Sequence, residues 1–317
     1  MSTRQTIDAA VGVLRRSDGQ VLLAQRPEGK PWAGWWEFPG GKIELGESAL
    51  GALKRELHEE LGVEVLAVYP WLTRIFDYPE RQVKLHFFMV RDWSGEPQGC
   101  EGQVLSWQYP DSLNVSPMLP ANAPILNALC LPDVYAITNM CELGEAVFFK
   151  QLQTALDTGL KMIQVREKQL SGLSLADFTR RVIAMAKPYA AKVFINSEVG
   201  LAQELGADGV QINSHQLMQM SSKPEGMICG ASCHNALELA QAKQLGLDFV
   251  LLSPVLATQS HPDAQALGWT SFTSYLVGYP LPVYALGGMQ REHLLTAWQH
   301  GAHGIAMQRA IWDSGSD

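Results

Sequence analysis

Gly41-Lys42-Ile43-Glu44-Leu45-Gly46-Glu47 leads through seven residues into Arg55-Glu56-Leu57-His58-Glu59-Glu60-Leu61-Gly62-Val63. Glu47-Ser48 opens a predicted helix here, and Gly62 closes it as a C-cap. Within that helix Glu56, Glu59 and Glu60 stand at i, i+3 and i+4, which stacks three carboxylates on one face. Like charges so placed repel, and the helix gains nothing from them alone. A hard divalent cation reverses the sign, because Mg²⁺ takes oxygen ligands and bridges to substrate phosphates. A solvated acidic face is the plainer reading of a charge run. It is outweighed by an ungapped pattern: Gly, five residues, Glu, seven residues, Arg-Glu-apolar-any-Glu-Glu-any-Gly-apolar.

The chain's 317 residues exceed one ordinary core, so two domains are expected. Hydrophobic content of 47% and charged content of 18% describe a packed globular chain, not a disordered one. A formal charge of −8 argues against a duplex nucleic-acid surface, which needs basic stripes. It leaves a nucleotide substrate open, since metal can carry its phosphates. Cys100, Cys130, Cys141, Cys229 and Cys233 form no Cys-x-x-Cys pair and are odd in number, which points to reduced cytoplasmic thiols. Residues 1–10 carry charge without an apolar core, unlike a secretory signal. The uncharged stretches 114–132 and 264–290 are broken by Pro, Gly or Asn, so no membrane span is expected.

The first part of the chain reads as a mixed sheet between helices. Residues 9–14 and 21–25 flank the turn Ser17-Asp18-Gly19-Gln20, a hairpin signal. Further strands are predicted at 63–69, 71–78, 83–90 and 105–108, with a closing helix at 122–129. Pro117, Pro120, Pro124 and Pro132 mark a change of character, placing a boundary between domains 1–130 and 131–317. Beyond it, short apolar strands at 134–137, 162–166, 193–195, 209–212, 227–231, 249–252, 282–286 and 304–307 alternate with amphipathic helices. Eight such units imply a parallel (β/α)8 TIM-type barrel, and a doubly wound open sheet is the alternative.

The residues 41–63 pattern is the signature of the Nudix hydrolases. Residues 1–130 resemble, more narrowly, the MutT-type 8-oxo-dGTP pyrophosphohydrolases, an α/β/α sandwich. The likeness extends through Glu37-Phe38-Pro39-Gly40-Gly41, Tyr78-Pro79-Glu80-Arg81, Glu101-Gly102-Gln103 and Pro120-Ala121-Asn122-Ala123-Pro124. It implies Mg²⁺, with Mn²⁺ as substitute, held by Glu56, Glu59, Glu60, Glu101 and the Gly41 carbonyl, with Arg55 orienting the acids and Glu47 holding Arg55. Either Glu56 or Glu101 would serve as base for water attack on a nucleoside triphosphate. The resemblance assigns Arg26, Phe38, Tyr78, Arg81 and Asn122 to the nucleotide, Asn122 reading the base edge. Asn122 alone would read as a helix N-cap. The loop Lys30-Pro31-Trp32-Ala33-Gly34-Trp35-Trp36 departs from the family pattern, and of Trp35 and Trp36 at most one would face a pocket.

Residues from 134 onward resemble thiamine phosphate synthase and its thiazole-tautomerase relatives. Short matches in order carry the likeness, among them Ile163-Gln164-Val165-Arg166-Glu167-Lys168, Gly230-Ala231-Ser232-Cys233-His234, Ser253-Pro254-Val255-Leu256-Ala257-Thr258 and Ala285-Leu286-Gly287-Gly288. Gln164, Arg166 and Lys168 alternate, so a strand would set them on one face, suited to a phosphate. Gly287 and Gly288 would offer backbone N–H groups to it. A solvated strand end is the plainer reading of Arg166 and Lys168. Where the synthases carry metal-binding acids this chain has Ser197 and Gln216, and Thr258-Gln259-Ser260-His261 replaces a Thr-x-Thr-Lys run. Loss of two carboxylates removes most of a hard-metal site. His234 reads equally as a proton shuttle or as a structural histidine.

Together these imply a cytoplasmic Mg²⁺-dependent hydrolase of 8-oxo-dGTP fused to a barrel that binds a phosphorylated small ligand and lacks synthase activity. Two rivals stand beside it: a bifunctional thiamine-pathway enzyme, and a barrel that only senses a ligand.

Overall fold

In the computed structural model, which describes residues 6–77, 82–258 and 265–313, two compact units divide the chain. One comprises Met1–Leu131 with Leu276–Pro280, the other Pro132–Tyr275 with Leu281–Asp317.

The first unit is built from β1 (Thr6–Leu14), β2 (Val21–Gln25), β3 (Trp36–Glu37), β4 (Gly40–Lys42), α1 (Ala49–Leu61), β5 (Glu64–Asp77), β6 (Gln82–Ser94), β7 (Leu105–Gln108) and α2 (Ala123–Leu129). β1 is an inner strand, antiparallel to β4 and parallel to β6, and β5 forms the far edge. A second sheet has the order β3-β2-β7. The expected turn forms, closed by the Arg15–Val21 bridge and by Arg16 N donating to the Gln20 carbonyl at 2.9 Å, but the hairpin is corrected in that β1 and β2 belong to different sheets. The two strands expected at 63–69 and 71–78 are one, β5. Pro70 lies inside it and is tolerated at an edge, where register shifts absorb the missing donor.

Alternation along β1 sends neighbours to opposite sides. Ala10 and Leu14 pack with Leu53, Leu57 and Leu61 of α1, whereas Val11 and Val13 pack with Ile125, Leu126 and Leu129 of α2. Helices therefore cover both faces, giving the α/β/α sandwich with a mixed sheet. Ser48 Oγ caps α1 by accepting from Gly51 N at 3.0 Å, and Gly62 ends it at φ 68°.

The second unit is a closed barrel of eight parallel strands: β8 (Val134–Ile137), β9 (Met162–Val165), β10 (Lys192–Asn196), β11 (Gly209–Ile212), β12 (Ile228–Cys233), β13 (Phe249–Leu252), β14 (Val283–Leu286) and β15 (Gly304–Met307). Tyr135, Phe194, Phe249 and Tyr284 fill its interior with ring centroids 5.5–5.7 Å apart. Gly230 leaves the space they need, since a Cβ there would lie 2.3 Å from Phe249 Cζ. The aromatic layer makes this a packed core, so ligand chemistry is left to the strand ends. β9 stops at Val165, which corrects the alternation argument: Gln164 lies in the strand, while Arg166 and Lys168 follow it in the loop. No helix among the described residues is long and apolar enough to cross a membrane.

Candidate active sites

In the first unit the charged side of α1 lies against β4. Arg55 Nε and Nη2 donate to the two oxygens of Glu47 at 3.1 and 3.0 Å, and Nη2 also reaches the Lys42 carbonyl at 3.1 Å. Its Nη1 holds Glu56 at 2.8 Å and Glu59 at 3.2 Å. These bonds, that to Glu47 foremost, raise the Arg55 pKa, so the guanidinium stays charged. Gly41 faces Glu56 so closely that a Cβ would lie 2.2 Å from its carboxylate. Glu60 accepts from Gly40 N at 3.1 Å. Burial, only partly offset by that bond and reinforced by the charges of Glu37, Glu56 and Glu101, pushes the Glu60 carboxyl up to about 7.

Glu101 arrives from the loop before β7. Gln103 anchors that loop, accepting from Glu101 N at 2.8 Å and donating to the Glu60 carbonyl at 2.9 Å. Lys30 pairs with Glu101 at 2.6 Å. Glu37, not singled out from the sequence, pairs with Arg26 at 2.6 Å; burial nevertheless raises its pKa. Its place beside Phe38-Pro39-Gly40-Gly41 was the available signal, but only the β2–β3 pairing shows which way it faces.

A cavity of about 630 Å³ collects Glu37, Glu56, Glu60 and Glu101 together with Arg26, Phe38 and Asn122. Glu59 is not in its lining and is 54% exposed. No three His, Cys, Asp or Glu side chains among the described residues converge in metal-holding geometry, and Arg55 and Lys30 occupy the acids instead. The donor set is carboxylate oxygen throughout, and burial, reinforced by the neighbouring acids, raises the proton affinity of Glu60. That chemistry fits a hard divalent cation. Asn122 is 5% exposed at the end of a 3-10 turn, and its side chain makes no helix-capping bond. Its Nδ2 donates to Met118 Sδ at 3.7 Å, leaving the cap reading without support. Tyr78 and Arg81 lie outside the described residues.

At the barrel's strand ends a cavity of about 750 Å³ is lined by Gln164, Arg166, Lys168, Asn196, His234, Gly287 and Gly288, among others. No described residue accepts a hydrogen bond from the Arg166 guanidinium or the Lys168 ammonium, and burial lowers the Arg166 pKa. Gly287 has φ 98°, and a Cβ there would meet Pro254 Cα at 2.8 Å. His234 Nδ1 lies 2.8 Å from the Ser253 carbonyl. A carbonyl only accepts, so Nδ1 carries the proton and Nε2 is the basic nitrogen. Ser197 Oγ accepts from Asn196 and Asn213, each at 2.9 Å, and Gln216 bonds the Ser197 carbonyl and Asn213. Uncharged groups thus satisfy one another where the synthase pattern has acids. Gln259, Ser260 and His261 lie outside the described residues.

Residues 134–311 match the family model for thiamine monophosphate synthase, and residues 6–129 match the NUDIX domain. The 8-oxo-dGTP diphosphatase of Haemophilus influenzae is 40% identical over 126 residues, 40% of this chain and 93% of that protein. The thiamine-phosphate synthase of Lysinibacillus sphaericus is 34% identical over 170 residues, 51% of this chain and 80% of that protein. The chain belongs to both families. The CTP pyrophosphohydrolase of Escherichia coli is also 40% identical, over 122 residues, 38% of this chain and 90% of that protein. Kinship within the Nudix family therefore spans a purine-acting and a pyrimidine-acting relative. The Nudix unit's own lining, with Asn122 and Phe38 beside five carboxylates, has to supply the finer distinction.

Proposed function

We propose that the Nudix unit hydrolyses 8-oxo-dGTP to the nucleoside monophosphate and pyrophosphate. The observation that carries this reading is Asn122: a buried amide in the cavity lining, bonded to no backbone cap, at the same cavity as the carboxylates. 8-Oxoguanine differs from guanine by a C8 carbonyl and an N7–H donor. An amide offers both a donor and an acceptor, and leaving it unpaired against a wrong base is costly. Glu56, Glu60, Glu101 and the Gly41 carbonyl would hold Mg²⁺ or Mn²⁺, with Glu59 nearby on the same helix. Such an ion neutralises phosphate charge and activates water. Arg55 fixes the Glu56 carboxylate, and the lack of a Cβ at Gly41 lets that carboxylate approach β4. Arg26 and Lys30 bring positive charge to the same cavity, suited to the triphosphate. Steady-state hydrolysis of 8-oxo-dGTP, dGTP and CTP by the full chain tests the reading.

The barrel, on the same reasoning, binds a phosphorylated small ligand and does not form thiamine phosphate. Arg166, Lys168 and the Gly287-Gly288 backbone supply phosphate contacts that need no metal. The Ser197–Asn213–Gln216 network offers no carboxylate to a cation that would stabilise departing pyrophosphate. Incubating the full chain with both thiamine precursors and Mg²⁺ tests this. Thiamine phosphate formation at synthase-like rates refutes it.

A further inference from the structure

We propose that Trp32 is a specificity-determining residue of the Nudix site, its indole stacking on the base so that purine nucleotides are favoured over pyrimidine ones. The inference rests on the nucleotide-hydrolase reading and narrows it. Trp32 lies on the loop between β2 and β3 and has φ 64°, a conformation rare for a bulky side chain. Such strain persists only where the surroundings over-determine it. Here they do. Gly34 N donates to the Arg26 carbonyl at 2.9 Å, and Trp35 N to the Trp32 carbonyl at 3.1 Å. Arg26 Nε holds the Pro31 carbonyl at 2.7 Å, and Lys30 ties the loop to Glu101 at 2.6 Å. Trp35 braces the indole edge-to-face, with ring centroids 4.9 Å apart and planes at 81°.

The outcome of this bracing is an aromatic ring that lines the cavity yet stays 44% exposed. Phe38, the other aromatic of that lining, is 3% exposed and belongs to the core. A large flat apolar surface gains most from a flat partner, and in a nucleoside triphosphate only the base is flat. A purine presents two fused rings and a pyrimidine one, so the stacked area differs between them. Asn122 would then read the base edge while Trp32 reads its size.

The test uses full-length Trp32→Ala and Trp32→Phe, with thermal melts as the folding control, and KM and kcat for dGTP, dATP and CTP. Trp32→Ala is expected to raise KM for both purine triphosphates about tenfold, the scale of one lost base–aromatic stack, with kcat little changed. KM for CTP should move much less, and Trp32→Phe should restore most of the loss. An equal rise for purines and CTP, a fall confined to kcat, or no rescue by Phe overturns the proposal. If Trp32→Ala does not fold, Trp32→Phe and wild-type tryptophan quenching by dGMP against CMP in EDTA decide it; equal quenching overturns it. Wild-type failure to turn over any nucleoside triphosphate would instead sink the hydrolase reading itself.

Discussion

Gly41→Ala probes the proposed role of the Glu56 carboxylate without replacing that residue. The added Cβ would sit 2.2 Å from Glu56 Cδ and Oε2, whereas ordinary contact begins at 3.4 Å. The carboxylate must therefore retreat by the difference, about 1.2 Å. Arg55 Nη1, 2.8 Å from Glu56 Oε1, resists any retreat that breaks the pair. A displacement of about 1 Å in a reacting constellation costs on the order of a hundredfold, or about 2.7 kcal/mol of transition-state stabilisation. The fold should tolerate the change, because Gly41 lies on a three-residue edge strand and is not among the positive-φ glycines. The assay is kcat/KM for 8-oxo-dGTP beside a thermal melt. About a hundredfold loss of activity with a near-native melting temperature is expected. Activity within about threefold of wild type, with the fold intact, would refute the claim that the Gly41–Glu56 approach positions the chemistry.

Asn122→Ala should reduce the preference for 8-oxo-dGTP over dGTP by roughly 1–3 kcal/mol, the cost scale of an unpaired buried polar group; an equal slowing of both substrates would show that the amide reads no base edge. The Glu60 carboxyl titrates at about 7 in the folded chain against 4.5 for an ordinary glutamate, so the folded state binds more protons between those values. Stability of the metal-free protein should accordingly fall as pH rises from about 4.5 to about 7, and Glu60→Gln should flatten that part of the melting profile in EDTA. Below pH 7 the same proton competes with cation, so Mn²⁺ affinity should weaken as pH falls; pH-independent calorimetric titrations between 5.5 and 7 would contradict this. In the barrel, Gly287→Ala forces a side chain onto a φ of 98° and against Pro254. It should abolish stabilisation by inorganic phosphate or pyrophosphate in thermal shift, and an undiminished shift would remove the glycine loop from the phosphate site.

What could be read from the sequence was local and periodic. Ser48 and Gly62 bound α1 because a cap oxygen and a left-handed residue are properties of single positions. The apolar runs at Val134–Ile137, Gly209–Ile212, Phe249–Leu252 and Gly304–Met307 are barrel strands as predicted, since strands buried on both faces leave no other composition. Long-range pairing was not legible. Pro70 reads as a break until β6 lies beside one face of β5 and leaves the other edge open. Arg166 and Lys168 reach the cavity from a loop, so their alternation was incidental. In the tryptophan-rich segment adjacency bears only on Trp35 and Trp36, whereas Trp36 is core and it is Trp32 that lines the cavity. The direction of Glu37 is not legible either, because it depends on β3 pairing with β2 across ten residues of loop. Glu59 shares the helix face with Glu56 and the bond to Arg55, but not the cavity.

The most direct measurement is kcat/KM of the full chain, with Mg²⁺, for 8-oxo-dGTP, dGTP and CTP under one set of conditions. The expected result is hydrolysis to monophosphate and pyrophosphate, with 8-oxo-dGTP preferred over dGTP and both over CTP. Preference for CTP, or no turnover of any of the three by a folded protein, would contradict it.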